Sequence, residues 1–98
     1  MILGRYTKQP ADISDYDLDC SEWLRDGETL TPATAVVACT STPLDAEMAV
    51  SSVTTSPDAV RVRLTGGTAG QLYKATVTVT TTSGRREQTE FVIECREF

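Results

Sequence analysis

The glycine-rich segment at residues 66–70 (GGTAG) has the composition best suited to chemistry, because closely spaced glycines can bring backbone amides onto a phosphate. Phosphate-binding loops of that kind join a strand to a helix and carry a Lys-Ser or Lys-Thr pair. Here the segment is followed by a β-branched, strand-like run, and the pair is missing. The glycines are therefore interpreted as turn residues that supply positive φ.

The chain also lacks the residues that nucleophilic catalysis and metal binding usually require. The 98-residue chain contains no histidine to act as a base or as a zinc ligand. Its 14 acidic side chains fall on predicted solvated faces and turns, and the alternating Asp15, Asp17 and Asp19 cannot curl around a calcium ion. We expect no catalytic residues, no cofactor and no metal, and the protein is not expected to be an enzyme.

Three cysteines, Cys20, Cys39 and Cys95, lie in apolar alternating contexts. Free cysteine packs as a small hydrophobic residue, and an odd number does not fit a disulfide framework. We expect reduced thiols in the core, with one bridge formed after oxidation as the alternative.

The charge balance bears on possible partners. The formal net charge is −5 and the pI is near 4.5, the reverse of the basic excess that binds nucleic acid or anionic membranes. No run approaches the roughly 18 apolar residues of a membrane span, and the first residues lack the pattern of a signal peptide. We expect no nucleic-acid or membrane partner and synthesis in a cytoplasm.

The strands of the fold are predicted from apolar and polar side chains that alternate with a period of two residues. Apolar side chains alternate with polar ones in five stretches, at residues 16–20, 48–53, 60–64, 73–79 and 91–95. Residues 35–39 are apolar on both faces, which predicts a central strand or one covered by a partner. About seven short strands with turns every 8–12 residues predict one all-β, immunoglobulin-like sandwich. Trp23 and Leu24 are expected on a short helical turn that closes one end of the core.

The predicted domain comprises residues 15–98, preceded by an N-terminal arm at residues 1–14. The arm contains Pro10 and shows no sustained periodicity. Such a leader either frays or docks on a neighbouring subunit. In the second case Ile2, Leu3 and Tyr6 are its protein-interface residues.

A sugar-binding module is a rival interpretation, because small sandwiches often present an aromatic platform. The candidate aromatic residues occupy positions already assigned to the core: Tyr16, Trp23, Tyr73 and Phe91.

Several segments together resemble a family of small tailed-bacteriophage proteins described as fibre–tail adaptors or Ig-like virion proteins. They are residues 16–24 (YDLDCSEWL), 27–30 (GETL), 64–73 (LTGGTAGQLY), 80–86 (TTTSGRR) and 91–95 (FVIEC). The resemblance covers roughly residues 14–97. Cys20 stands where the family usually has tryptophan, and residues 40–58 match none of its motifs.

This resemblance implies a structural protein of the virion that contacts tail, neck, fibre or portal components and is present in many copies, as a homo-oligomer within the particle. A capsid decoration protein with the same fold is the alternative within this class, and a glycan-binding module is the alternative outside it.

Overall fold

The computed structural model describes residues 2–97, with side chains from Gly4 onward. These residues form seven strands and no helix. The strands are β1 (Ile2–Lys8), β2 (Ile13–Asp19), β3 (Thr34–Cys39), β4 (Met48–Thr55), β5 (Ala59–Gly66), β6 (Leu72–Thr80) and β7 (Arg86–Cys95). The predicted all-β class and the number of strands are confirmed.

The strands form two sheets that pack into a sandwich. One sheet has the order β1-β7-β6-β3 and the other β2-β5-β4. Among the strands of residues 2–97, β1 and β7 run parallel and the other pairs are antiparallel. This arrangement of four and three strands is consistent with an immunoglobulin-like sandwich.

The core lies between the sheets and follows the predicted alternation. The inward side chains of β5, β6 and β7 are buried, whereas their neighbours face outward. The buried set is Val60, Val62 and Leu64 on β5, Tyr73, Ala75, Val77 and Val79 on β6, and Phe91, Ile93 and Cys95 on β7. The three cysteines are free and buried. Residues 21–24 form one turn, in which the amides of Trp23 and Leu24 both donate to the carbonyl of Cys20.

The glycine-rich segment carries the chain from one sheet to the other. Gly66, Gly67 and Gly70 all have positive φ, so these glycines act as turn residues, as predicted. The Tyr73 hydroxyl anchors the segment by accepting from the Thr68 amide at 2.8 Å and donating to Asp45 at 2.8 Å.

The N-terminal residues differ from the predicted arm. Residues 2–8 form β1 inside the four-stranded sheet, and residues 13–14 begin β2. The sequence of β1 does not show an alternation of apolar and polar residues, because its inward positions carry Gly4, Tyr6 and Lys8. Lys8 is fully buried nonetheless, since its Nζ donates to the carbonyls of Gln9 at 2.8 Å and Gly66 at 2.7 Å.

The strand over residues 34–39 also differs in position. β3 is an edge strand, so the first alternative, a central strand, is wrong, and the second, a strand covered by a partner, stays a prediction. Its inward residues, Ala35 and Val37, are half-buried against the core, whereas Val36 points outward and is 66% exposed. The run is apolar on both faces although one face is open to solvent.

Candidate interaction surface

The outer face of the three-stranded sheet carries charges that neutralise one another. Arg63 on β5 forms a two-point hydrogen bond with Asp15 on β2, and Arg61 does the same with Asp17, over 2.7–3.2 Å. The hydrogen bond from each arginine lowers the pKa of its aspartate. The acidic stretch of β2 is therefore a solvated face paired with arginines.

Three aromatic side chains form a cluster where the edges of the two sheets meet. Tyr6 on β1 lies 5.1 Å from Tyr16 on β2 and 5.7 Å from Phe91 on β7, measured between ring centroids. Tyr16 and Phe91 are 5.0 Å apart. Phe91 is buried, whereas Tyr6 is 43% exposed. Tyr6 thus covers the core with one part of its ring and presents the other part to solvent.

The three predicted interface residues are all on β1, which lies at an edge of its sheet. The side chains of Ile2 and Leu3 lie outside those that the structure describes. Tyr6 is described, and its exposure leaves it accessible to a partner. Their role in protein contacts stays a prediction.

The opposite edge of the same sheet carries an apolar side chain that sequence reasoning did not single out. Val36 on β3 is largely exposed, and Leu44, in the loop between β3 and β4, is almost fully exposed. The run of apolar residues around Val36 was a usable signal, since such a strand at an edge exposes one of its faces. No pattern in the sequence distinguishes Leu44.

Aromatic side chains do not form a sugar-binding platform at the positions considered. Tyr73 and Phe91 are buried, and Tyr16 packs against Tyr6 and Phe91. Trp23 packs against the core and has the Arg85 guanidinium 4.6 Å from its ring centre. All four residues pack in the core or against it.

A partly buried ion pair between Arg85 and Glu28 fixes the segment between β2 and β3. Arg85 donates to the Trp23 carbonyl and, through Nε, to Glu28 at 3.0 Å. Ser83 also donates to Glu28. The hydrogen bonds from Arg85 and then Ser83 hold the pKa of Glu28 far below its ordinary value near 4.5. The pair thus ties residues 23–28 to the hairpin that joins β6 and β7.

Glu28→Gln is expected to make the protein less sensitive to acid. A carboxylate whose pKa is lowered by folding stabilises the native state above its ordinary pKa and loses this effect as the pH falls. The wild type should therefore lose stability below about pH 4.5, and the variant should lose less over the same range. Urea unfolding between pH 7 and pH 2 measures this slope. Glu47→Gln controls for the loss of one negative charge, and equal slopes for E28Q and wild type would contradict the assignment.

The part of the chain that the structure describes contains no group of side chains suited to bind a metal ion. Within residues 2–97, no three or more acidic or cysteine side chains are grouped so as to hold a metal ion. The same residues contain no helix that is long and apolar enough to cross a membrane. Both edges of the four-stranded sheet expose an apolar side chain, Tyr6 on β1 and Val36 on β3.

The family is shown by comparison with known proteins. The model of the family described as podophage GP4 fiber-tail adaptor protein gp77 matches residues 8–94. The chain belongs to this family of phage structural proteins, as the resemblance of its motifs implied. No curated protein matches the chain.

Proposed function

We propose that the chain is an adaptor that joins two other proteins of the phage tail through separate contacts, one at each edge of the four-stranded sheet. The observation that supports this is the strand order β1-β7-β6-β3. β1 and β3 occupy opposite edges, roughly 14 Å apart at the usual strand spacing. Each presents an exposed apolar side chain, Tyr6 on one and Val36 on the other.

The contact at β1 is assigned to Ile2, Leu3 and Tyr6. An edge strand presents unpaired backbone groups, which an extended segment of a partner can use. Tyr6 adds an aromatic ring that is already held in place by Tyr16 and Phe91. Because little conformational freedom is left to lose, such a ring is well suited to anchor a partner.

The contact at β3 is assigned to Val36 and the adjoining loop with Leu44. Both side chains are exposed, and a strand that is apolar on both faces is typical of a surface covered in an assembly. We expect several copies of the chain in one virion, arranged by symmetry and incorporated after synthesis in the host cytoplasm.

Single substitutions should separate the two contacts. Tyr6→Ala removes the ring at the β1 edge, and Val36→Lys places a charge on the β3 edge, where lysine opposes strand pairing. Each is expected to weaken binding to one purified tail or fibre protein at least about tenfold and to leave the other partner unaffected. Calorimetric titration of both variants against both partners measures this. Full binding of both partners by both variants would contradict the proposal.

A further inference from the structure

A tight turn between β3 and β4 presents Leu44 at its tip. The turn comprises residues 42–45, and the Asp45 amide closes it by donating to the Thr42 carbonyl at 2.9 Å. Pro43 occupies the second position, where proline is favoured because its ring already has the required φ. The side chain of Leu44 is 96% exposed, although the backbone that carries it is constrained.

The first leg of the turn is held by Gln71, the residue directly before β6. Its Oε1 accepts from the hydroxyls of Ser41 at 2.6 Å and Thr42 at 2.7 Å. The Thr42 amide also donates to the Cys39 sulfur at 3.3 Å. These bonds fix the chain at the point where it leaves β3.

The second leg is held by Tyr73 and by the glycine-rich segment. The Asp45 carboxylate accepts from the buried Tyr73 hydroxyl at 2.8 Å and from the Glu47 amide at 2.9 Å. The Glu47 carbonyl accepts from the Gly67 amide at 3.1 Å. Both legs are therefore fastened to the body of the sandwich, and Leu44 is held out from it before any partner binds.

Rigidity distinguishes Leu44 from an ordinary surface leucine. Single exposed apolar side chains are common and do not by themselves indicate an interface. A flexible loop would lose conformational freedom on docking, and this loss would weaken binding. The turn at residues 42–45 has lost that freedom already on folding. Leu44 can therefore be buried by a partner with little of this cost.

Negative charge follows Leu44 in the chain. None of the ion pairs formed within residues 2–97 includes Asp45 or Glu47. The hydrogen bond from the Glu47 amide lowers the pKa of Asp45, which therefore stays charged at neutral pH. Covering a carboxylate without a compensating charge is costly, so a surface that encloses Leu44 is expected to bring positive charge to its rim.

We propose that Leu44 anchors the contact at the β3 edge by entering an apolar pocket with a basic rim on the partner virion protein. The inference rests on the proposed adaptor role and defines the chemistry of one of its partners. Gln71 is a positioning residue, because it holds the turn at residues 41–42 and acts on the partner through Leu44.

Calorimetric titration against the purified tail and fibre proteins of the same phage tests the anchor. Leu44→Ala should weaken binding of one partner at least about tenfold, and this should be the partner that Val36→Lys also loses. The melting temperature should not change, because almost none of this side chain is buried in the fold. Leu44→Met keeps an apolar side chain of similar volume and should bind within about threefold of wild type. Unchanged binding by Leu44→Ala would overturn the inference.

A double-mutant cycle tests the role of Gln71. Gln71→Ala removes the oxygen that holds Ser41 and Thr42, so binding of the same partner should weaken about threefold or more. Added to Leu44→Ala, the change should cause no further loss, because its effect passes through Leu44. Backbone nitrogen relaxation should show a more mobile Leu44 amide in Gln71→Ala. Equal losses with and without Leu44 would contradict the positioning role.

Association rates at several salt concentrations test the basic rim. Glu47→Gln should slow association with the same partner and reduce its dependence on salt. Glu22→Gln changes an exposed carboxylate at the opposite end of the sandwich and should alter neither. Identical rates for both variants would overturn the basic rim.

The failure of the anchor can be told from the failure of the adaptor role. If one partner is lost with Val36→Lys and kept with Leu44→Ala, only the assignment of Leu44 fails. If neither the tail nor the fibre protein binds the wild-type chain, the adaptor role fails, and the anchor fails with it.

Discussion

Gly66→Ala is expected to destabilise the protein by at least about 3 kcal/mol, most of the stability that some domains of this size possess. Gly66 has φ of +75°, and an added Cβ would lie 2.2 Å from the backbone oxygen of Glu47. That oxygen accepts a hydrogen bond from Gly67 at 3.1 Å, and the carbonyl of Gly66 accepts one from Lys8. The substitution therefore adds left-handed backbone strain at residue 66. It also displaces the Glu47 carbonyl, whose hydrogen bond with Gly67 holds the glycine-rich segment between β5 and β6. Thermal unfolding should show a loss of roughly 10–25 °C.

Gly70→Ala is the matched control for this prediction. Gly70 also has positive φ, at +89°, but nothing lies within 4 Å of an added Cβ. Its amide still donates to the carbonyl of Cys95 after the change. Only the conformational strain remains, so the cost should be about 1–2 kcal/mol. Equal losses for the two variants would show that the contact with Glu47 is not what makes Gly66 necessary.

Phe91→Ala is expected to cost about 3–5 kcal/mol, the usual range for a fully buried aromatic side chain. Phe91 lies on β7 between the inward faces of the two sheets and touches the rings of Tyr6 and Tyr16. Its removal leaves a cavity that the rigid strands cannot close. Urea unfolding followed by tryptophan fluorescence should report the loss through Trp23, the one tryptophan of the chain.

Tyr6→Ala is measured beside Phe91→Ala, because its stability decides whether lost binding by this variant reflects a missing contact. Because Tyr6 is 43% exposed, its truncation should cost only about 1–2 kcal/mol. The two variants thus distinguish a core ring from a ring on the margin of the core. If Tyr6→Ala destabilised the protein as much as Phe91→Ala, lost binding by that variant would reflect unfolding rather than a missing contact.

The sandwich was predictable because its longest strands keep a strict period of two. From Tyr73 to Val79 and from Phe91 to Cys95, inward apolar residues alternate with threonine, lysine or glutamate. The glycines between β5 and β6 were predictable as turn residues for the same reason, since a β-branched strand follows them. Patterns of this kind report which face of a strand is buried.

β1 was not predictable, because its inward residues do not look like core residues. Lys8 is buried through two carbonyl partners, one of which belongs to Gly66 on β5, far away in the chain. The edge position of β3 was equally hidden, since strand order depends on pairing between distant segments. Thr89 extends the inward alternation of Phe91 and Ile93 and was a usable signal for a buried hydroxyl.

The most direct test of the adaptor role is whether the chain bridges two other virion proteins in solution. The purified chain, a fibre protein and a tail protein of the same phage are mixed in pairs and then together, and the complexes are resolved by analytical ultracentrifugation. We expect the fibre and tail proteins to sediment together only when the chain is present, in a complex that contains all three. Fibre and tail proteins that associate equally well without the chain, or a chain that binds neither, would contradict the account.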